Sequence, residues 1–268
     1  MLVIGLTGGI ACGKSTVSKR FREKHKIPVI DADLIAREIM APGESAYYKV
    51  VEEFSSKVPN LLLPNGELNR PVLGDWIFAN PKERKTLNAI AHPEVRRKIL
   101  FQIVGYYLRM YPMCVLDVPL LFESGMDVFC GITISVICNK EVQIERLMLR
   151  NPDLTKEQAL DRINSQISMQ ERIEKSNFII ENNDNLETLY LKIDNVVSYM
   201  KPFILTVILH YFIPFGIISA LSLILSKWYT RYCAKKIRQR KQVRKVVYPK
   251  KFRPANIKVK HKKGTSRR

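Results

Sequence analysis

Short apolar runs alternate along this chain with longer stretches in which apolar residues recur at helical spacing. The runs are Leu2–Leu6, Ile27–Ile30, Met113–Val118, Gly131–Cys138 and Phe178–Ile180. They are rich in β-branched residues and nearly continuous in hydrophobicity, the pattern of strands buried on both faces. Such strands alternating with helices predict an α/β fold: a parallel five-stranded sheet with helices on both faces.

Thr16–Lys24 reads as the helix after the first strand. About eighty residues without a convincing strand separate the second run from the third. Within them Asp33–Met40, Ser45–Ser56, Pro71–Phe78 and Pro81–Met110 read as helices, with Pro71 and Pro81 in first turns, where a missing N–H does little harm. The block is too large for a crossover and predicts a helical insertion over one end of the sheet. A second helical stretch, Lys140–Lys175, breaks at Asn151-Pro152-Asp153 and carries Arg146, Arg150, Arg162 and Arg172, as a lid would. The expected domain is therefore 1–200: a core of 1–33, 111–139 and 177–200, inserted helices over 34–110, and a lid over 140–176.

Pro202–Ser226 follows a different pattern, 25 residues without a charge between Lys201 and Lys227. As a helix at about 1.5 Å per residue it would exceed a hydrocarbon core of about 30 Å. A membrane segment over 202–226 is the expectation, with Trp228, Tyr229 and Tyr232 at its exit suited to the interface. Pro214 and Gly216 at its midpoint favour a shallow hairpin over a single span, because a hairpin keeps both flanks on one side of the bilayer.

Charge sharpens that division. The chain has 268 residues and a formal charge of +19. Residues 227–268 hold 18 Lys/Arg and no Asp or Glu, which leaves 26 basic against 25 acidic residues in the body. The body is nearly neutral. The tail reads as low in complexity and disordered in isolation, with anionic lipid headgroups as its nearest partner. Nucleic acid is a poor match, since no recognition fold accompanies the charge. Five cysteines without C-x-x-C spacing, and no signal-peptide pattern, lead to an expected reducing setting, on the cytosolic face of the endoplasmic reticulum, a lipid droplet or the mitochondrial outer membrane. Four scattered histidines argue against structural zinc.

The chemistry starts at Gly8–Ser15, G-G-I-A-C-G-K-S, between the first strand and the first helix. It fits the P-loop pattern G-x-x-x-x-G-K-[ST] in full and predicts a P-loop NTPase-type core. Gly8, Gly9 and Gly13 let the backbone curl, so that N–H groups from Gly8 through Thr16, by way of Ile10, Ala11 and Cys12, can converge on phosphate oxygens. Lys14 reaches the β- and γ-phosphates and Ser15 is placed to hold Mg²⁺ with the ATP. Cys12 is explained most simply as a small residue tolerated at a variable position. Asp31 and Asp33 end the second strand, where ligands gather in parallel sheets. One can accept a proton from an attacking hydroxyl while the other organises the acceptor or metal-bound water; capping the next helix accounts for one of them, not both. Asp117 ends the third strand, the usual place of an acidic residue that holds Mg²⁺.

The ordered set T-G-G-I-A-C-G-K-S-T, D-A-D at 31–33, H-P-E-V-R at 92–96 and V-P-L-L-F-E at 118–123 resembles dephospho-coenzyme A kinase over roughly 1–200. Gln143-x-x-Arg146 and Arg162-Ile163-x-x-Gln166 agree with it. The resemblance implies phosphoryl transfer from ATP to the ribose 3′-hydroxyl of dephospho-coenzyme A, the last step of coenzyme A synthesis. It implies Asp33 as general base and Lys14 as the phosphate-neutralising cation, with Arg146 and Arg150 closing over the phosphates. It also implies Asn182 and Asn183 beside the adenine, and Asp31, His92, Arg96 and Glu123 at the acceptor. A membrane-held last-step enzyme would suit a coenzyme A synthesis assembly. The alternatives are a P-loop kinase for another nucleotide or nucleoside, and an inactive membrane-tethered scaffold; the H-P-E-V-R and P-L-L-F-E segments speak against the first, the intact Lys14, Ser15, Asp33 and Asp117 against the second.

Overall fold

The computed structural model describes residues 1–202, 207 and 218–233. Five strands, β1 (Leu2–Gly8), β2 (Val29–Asp31), β3 (Met113–Asp117), β4 (Ile132–Ile137) and β5 (Phe178–Glu181), form one all-parallel sheet in the order β2-β3-β1-β4-β5. All five apolar runs of the sequence became strands. Every residue of β3 is buried, as expected of a strand covered on both faces. Pro28 lacks an N–H and only accepts, from Val115, so β2 begins one residue later and is short.

Helices cover both faces. On one, Val17 and Phe21 of α1 (Lys14–Glu23) and Ile193 and Val197 of the final helix α9 (Leu186–Met200) pack against Ile4, Val115 and Ile134. On the other, Ile35 of α2 (Ala32–Glu38) and Val95 and Ile99 of α5 (Pro81–Leu108) pack against Ile30, Cys114 and Leu116. A satellite core joins α3 (Ser45–Phe54) to α4 (Arg70–Ala79) through Val50, Phe54, Leu73 and Ile77. The helices expected between the second and third strands are all present. Pro71 and Pro81 stand in first turns, and Pro93 lies inside the 28-residue α5, where its missing N–H removes one rung.

The stretch after β4 breaks twice, into α6 (Lys140–Arg150), α7 (Lys156–Asn164) and α8 (Met169–Lys175). Thr155 closes a capping box on α7 and Ser168 accepts from Glu171 N–H at the start of α8, which explains the second break. Arg20 of α1 clasps Asp194 of α9 with Nε at 3.2 Å and Nη2 at 2.7 Å, and stacks on Tyr190. His25 Nε2 meets the same carboxylate at 2.7 Å.

The chain divides into Met1–Leu223 and Ile224–Arg268. Residues 218–233 are helical, with Trp228 stacked on Tyr232. Among the described residues no helix is long and apolar enough to cross a membrane. Most of the expected membrane segment 202–226, with Pro214 and Gly216, and nearly all of the basic tail lie outside the described residues.

Candidate active site

The carboxyl ends of β1, β2 and β3 bring the P-loop, Asp31 and Asp117 to one edge of the sheet, with Asp31 paired in register to Asp117. Gly13 adopts φ +88 just before α1, a conformation that disfavours any side chain, and a Cβ there would run into Nδ2 of Asn182. That amide sits close because Asn182, 7% exposed, donates from Nδ2 to the Cys12 carbonyl at 2.9 Å.

Two more amides strap the loop. Gln143 of α6 donates to the Ile10 carbonyl at 2.7 Å, and the Ile10 N–H donates to Gln166 Oε1 at 3.0 Å. Cys12 N–H turns inward to the Gly9 carbonyl. Of the expected cradle, Ile10, Cys12 and Thr16 spend their N–H groups within the protein, Thr16 on the Gly13 carbonyl at 3.1 Å. Lys14 and Ser15 open α1, at its positive dipole end, with Ser15 exposed.

Lys14 Nζ lies 2.5 Å from Asp117 Oδ1. Burial pushes the Asp117 carboxyl above the usual carboxylate range, opposed by the Lys14 charge and by hydrogen bonds from Lys14 and Ser18. Asp31 and Asp33 divide their work. Asp31 Oδ1 accepts from the N–H groups of Asp33 and Leu34, each at 3.0 Å, and caps α2. Asp33, in the first turn, is exposed.

His92 and Arg96 are both exposed on α5, one turn apart, and Arg96 Nη2 donates to the Ser124 carbonyl at 3.4 Å. Between them Glu94 accepts from Ser45 and Lys49 of α3, which fixes α5 to that helix. Arg146 donates to the Asn182 carbonyl at 3.0 Å, and Asn183 Oδ1 accepts from Asn139 N–H at 2.7 Å, so both asparagines brace the loops flanking the P-loop. Arg150 is exposed on the last turn of α6.

Arg172 of α8 is the residue the sequence reading undervalued. It appeared there only as one lid arginine, yet it is 2% exposed. Its Nη1 donates to Thr7 Oγ1 at 3.0 Å, just before the P-loop, and Thr7 in turn donates to the Pro119 carbonyl at 2.7 Å. Its Nη2 stands 3.5 Å from Glu123 Oε1 as an ion pair and makes no hydrogen bond. Burial lowers its pKa from the usual arginine value, against the pull of Glu123. Glu123 also accepts from Ile167 N–H at 3.4 Å, so the segment after β3 is tied to α8 and to the turn before it. No local pattern marks Arg172 as buried.

Cys12 and Cys138 meet with sulfurs 3.3 Å apart. The Cys138 thiol donates to Cys12, which makes Cys12 the more acidic of the two and pushes Cys138 up. Cys12 therefore belongs to the packing beneath the loop. Among the described residues no three His, Cys, Asp or Glu side chains cluster as a metal site.

The family model for dephospho-CoA kinase matches residues 2–188. The chain is similar to dephospho-CoA kinase CAB5 of Saccharomyces cerevisiae, 52% identical over 227 residues that cover 85% of this chain and 94% of that protein. It is 44% identical to the dephospho-CoA kinase of Oceanobacillus iheyensis over 74% of this chain and 96% of the relative. The solved dephospho-CoA kinase of Campylobacter jejuni superposes with a TM-score of 0.58 at 31% identity, over 74% of this chain and 96% of that one.

Proposed function

The chain belongs to the dephospho-CoA kinase family, and from that premise we propose how its residues divide the work of the reaction. It is an ATP-dependent kinase that phosphorylates the ribose 3′-hydroxyl of dephospho-coenzyme A to give coenzyme A, the last step of coenzyme A biosynthesis. The hydroxyl oxygen bonds to the γ-phosphorus, the bond to the bridging oxygen breaks, and ADP leaves with that electron pair. Asp33 takes the hydroxyl proton. The observation behind this assignment is the division between the two aspartates: Asp31 is engaged as a cap, which leaves the Asp33 carboxylate exposed at the carboxyl edge of the sheet.

Lys14 exchanges Asp117 for the β- and γ-phosphates when nucleotide binds, and the N–H groups at the start of α1 stabilise the same charge. Arg146 and Arg150 neutralise charge from above, and closure of the 140–176 lid keeps water from competing with the sugar hydroxyl. His92, Arg96 and Glu123 hold the acceptor. The Ser15 hydroxyl and the Asp117 carboxylate are hard oxygen donors that fit Mg²⁺, an ion satisfied by one or two protein oxygens plus phosphates and water. Bound there, Mg²⁺ would neutralise developing phosphate charge.

Asp33→Asn tests the division of roles. Turnover with dephospho-coenzyme A should fall far more than tenfold, with ATP binding unchanged. A loss within about tenfold, roughly 1.4 kcal/mol, removes Asp33 from the role of base. ATP consumption across dephospho-coenzyme A, adenosine and AMP tests the acceptor separately.

We also propose that residues 202–226 hold the enzyme on the cytosolic face of a membrane and that the tail 227–268 lies against anionic headgroups. The 25-residue uncharged run and the tail's 18 cations support this reading. So do the exposed Ile218, Leu221, Ile224 and Leu225. A tethered last-step kinase suits delivery of substrate from a coenzyme A synthesis assembly.

A further inference from the structure

The edge of the sheet where the strands begin gathers the carboxyl ends of three helices. The helices run back from the active-site edge, so α1, α5 and α9 all end where the strands begin. The residues at those three helix ends are Lys24, Arg109 and Lys201, each a cation. Lys26 stands beside Lys24, and Lys24, Lys26, Tyr111, Pro112, Lys201 and Pro202 share the lining of one cavity of about 540 Å³, which places them together. A helix carboxyl end contributes about −0.5 charge, so the three ends offset only about 1.5 of the four positive charges and leave the edge cationic. Glu23 nearby is matched by Lys19 at 3.9 Å, and Asp194 is held by Arg20 and His25.

Beside the cations lies an apolar stripe. The core face of α5 buries Val95 and Ile99, whereas its outer face exposes Phe101 by 69%, Val104 by 51% and Leu108 by 73%. These lie at i, i+3 and i+7, one continuous stripe, and Met110, just past the helix end, is 64% exposed. The stripe occupies the last two turns of α5, toward the cationic edge; His92 and Arg96 stand at least one turn earlier on the helix. An apolar stripe rimmed by cations is the composition of a surface that settles into an anionic bilayer interface.

We propose that this edge is the face with which the kinase rests on an anionic lipid bilayer. The inference rests on the membrane reading above, and the chain itself connects the two, since the uncharged run begins at Pro202, directly after the cation at Lys201. The apolar stripe enters the headgroup–acyl boundary and the four cations meet lipid phosphates. Orientation follows: the seven-residue β1 stands the P-loop about 20 Å above the lipid, at about 3.3 Å per residue. The nucleotide and acceptor sites then open into solution.

The test uses the full chain carrying Cys233→Ser, whose other cysteines are buried. A polarity-sensitive fluorophore is attached at Phe101→Cys, or at Tyr48→Cys on α3 as control, and the protein is floated with vesicles of phosphatidylcholine and phosphatidylserine. Emission at position 101 should shift to the blue on these vesicles and position 48 should not change. Lys24→Glu with Lys26→Glu should reduce the shift while kinase activity in solution stays level. A chain that floats without a shift at 101 overturns the docking face and leaves the tether standing; a chain that does not float overturns both. A shift at 101 without lipid, whether or not it grows with protein concentration, assigns the stripe to a second copy or to the chain's own residues and overturns the proposal.

Discussion

Replacing Gly13 by alanine sets a Cβ against Nδ2 of Asn182 in a backbone held at φ +88. Two penalties follow. An L-residue in this left-handed region costs about 1–2 kcal/mol. Asn182 must also withdraw, leaving the Cys12 carbonyl without its donor, and an unsatisfied buried acceptor costs about 1–3 kcal/mol. Gly13→Ala should therefore cost about 2–5 kcal/mol, and Asn182→Ala, which removes only the donor, about 1–3. In the double variant the carbonyl is orphaned once, not twice, and the new methyl has room. The cost of the double variant should fall short of the sum of the two single costs by about 1–3 kcal/mol, well beyond the roughly 0.5 kcal/mol scatter of independent sites. Urea unfolding of the full chain without nucleotide, followed by far-UV circular dichroism at constant m, measures each corner of the cycle. Simple additivity would show that the amide and the glycine do not share this contact.

Arg172→Met should destabilise the fold by about 2–3 kcal/mol in the same assay. That is less than the 3–5 of a fully buried pair, because the Glu123 side chain keeps 23% exposure. A loss under about 0.5 kcal/mol would mean that Arg172 ties nothing together. Asp194 is held below the ordinary carboxylate range, first by its hydrogen bond from Arg20 and then by that from His25. A depressed carboxylate adds stability that is complete above its unfolded value, near pH 4, and is lost as pH falls through the folded one. Thermal midpoints of wild type and Asp194→Asn should therefore differ most near neutrality and converge in acid; a gap that widens in acid would reverse the sign.

The sheet was legible because its strands are largely buried on both faces, so Leu2–Leu6 and Met113–Leu116 read as apolar runs whatever surrounds them. Lys14, Ser15 and Asp117 were legible because each stands at a fixed distance from such a run. Spacing could not tell which of the two aspartates caps α2, since both are carboxylates at the start of a helix and only the family resemblance singled out Asp33; the hydrogen bonds to Asp31 identify the cap. The amides that shape the P-loop were invisible as such. Gln166 and Asn182 lie 156 and 170 positions from the loop residues they hold, and an amide carries no periodic signal. Arg172 was read as one arginine among several because a buried charge is defined by its partners.

The reach of Asn182 has a consequence for how the protein is made. The strand and glycines of the nucleotide loop leave the ribosome first, but the amide that fixes the Cys12 carbonyl emerges 170 residues later. At about 5–20 residues per second, that interval is roughly 10–30 seconds. Throughout it the nascent chain carries a P-loop in sequence without the contact that sets its shape. The clasp thus arrives just after β5, near the end of the domain, and a chain cut short before residue 182 would carry a glycine loop that lacks it.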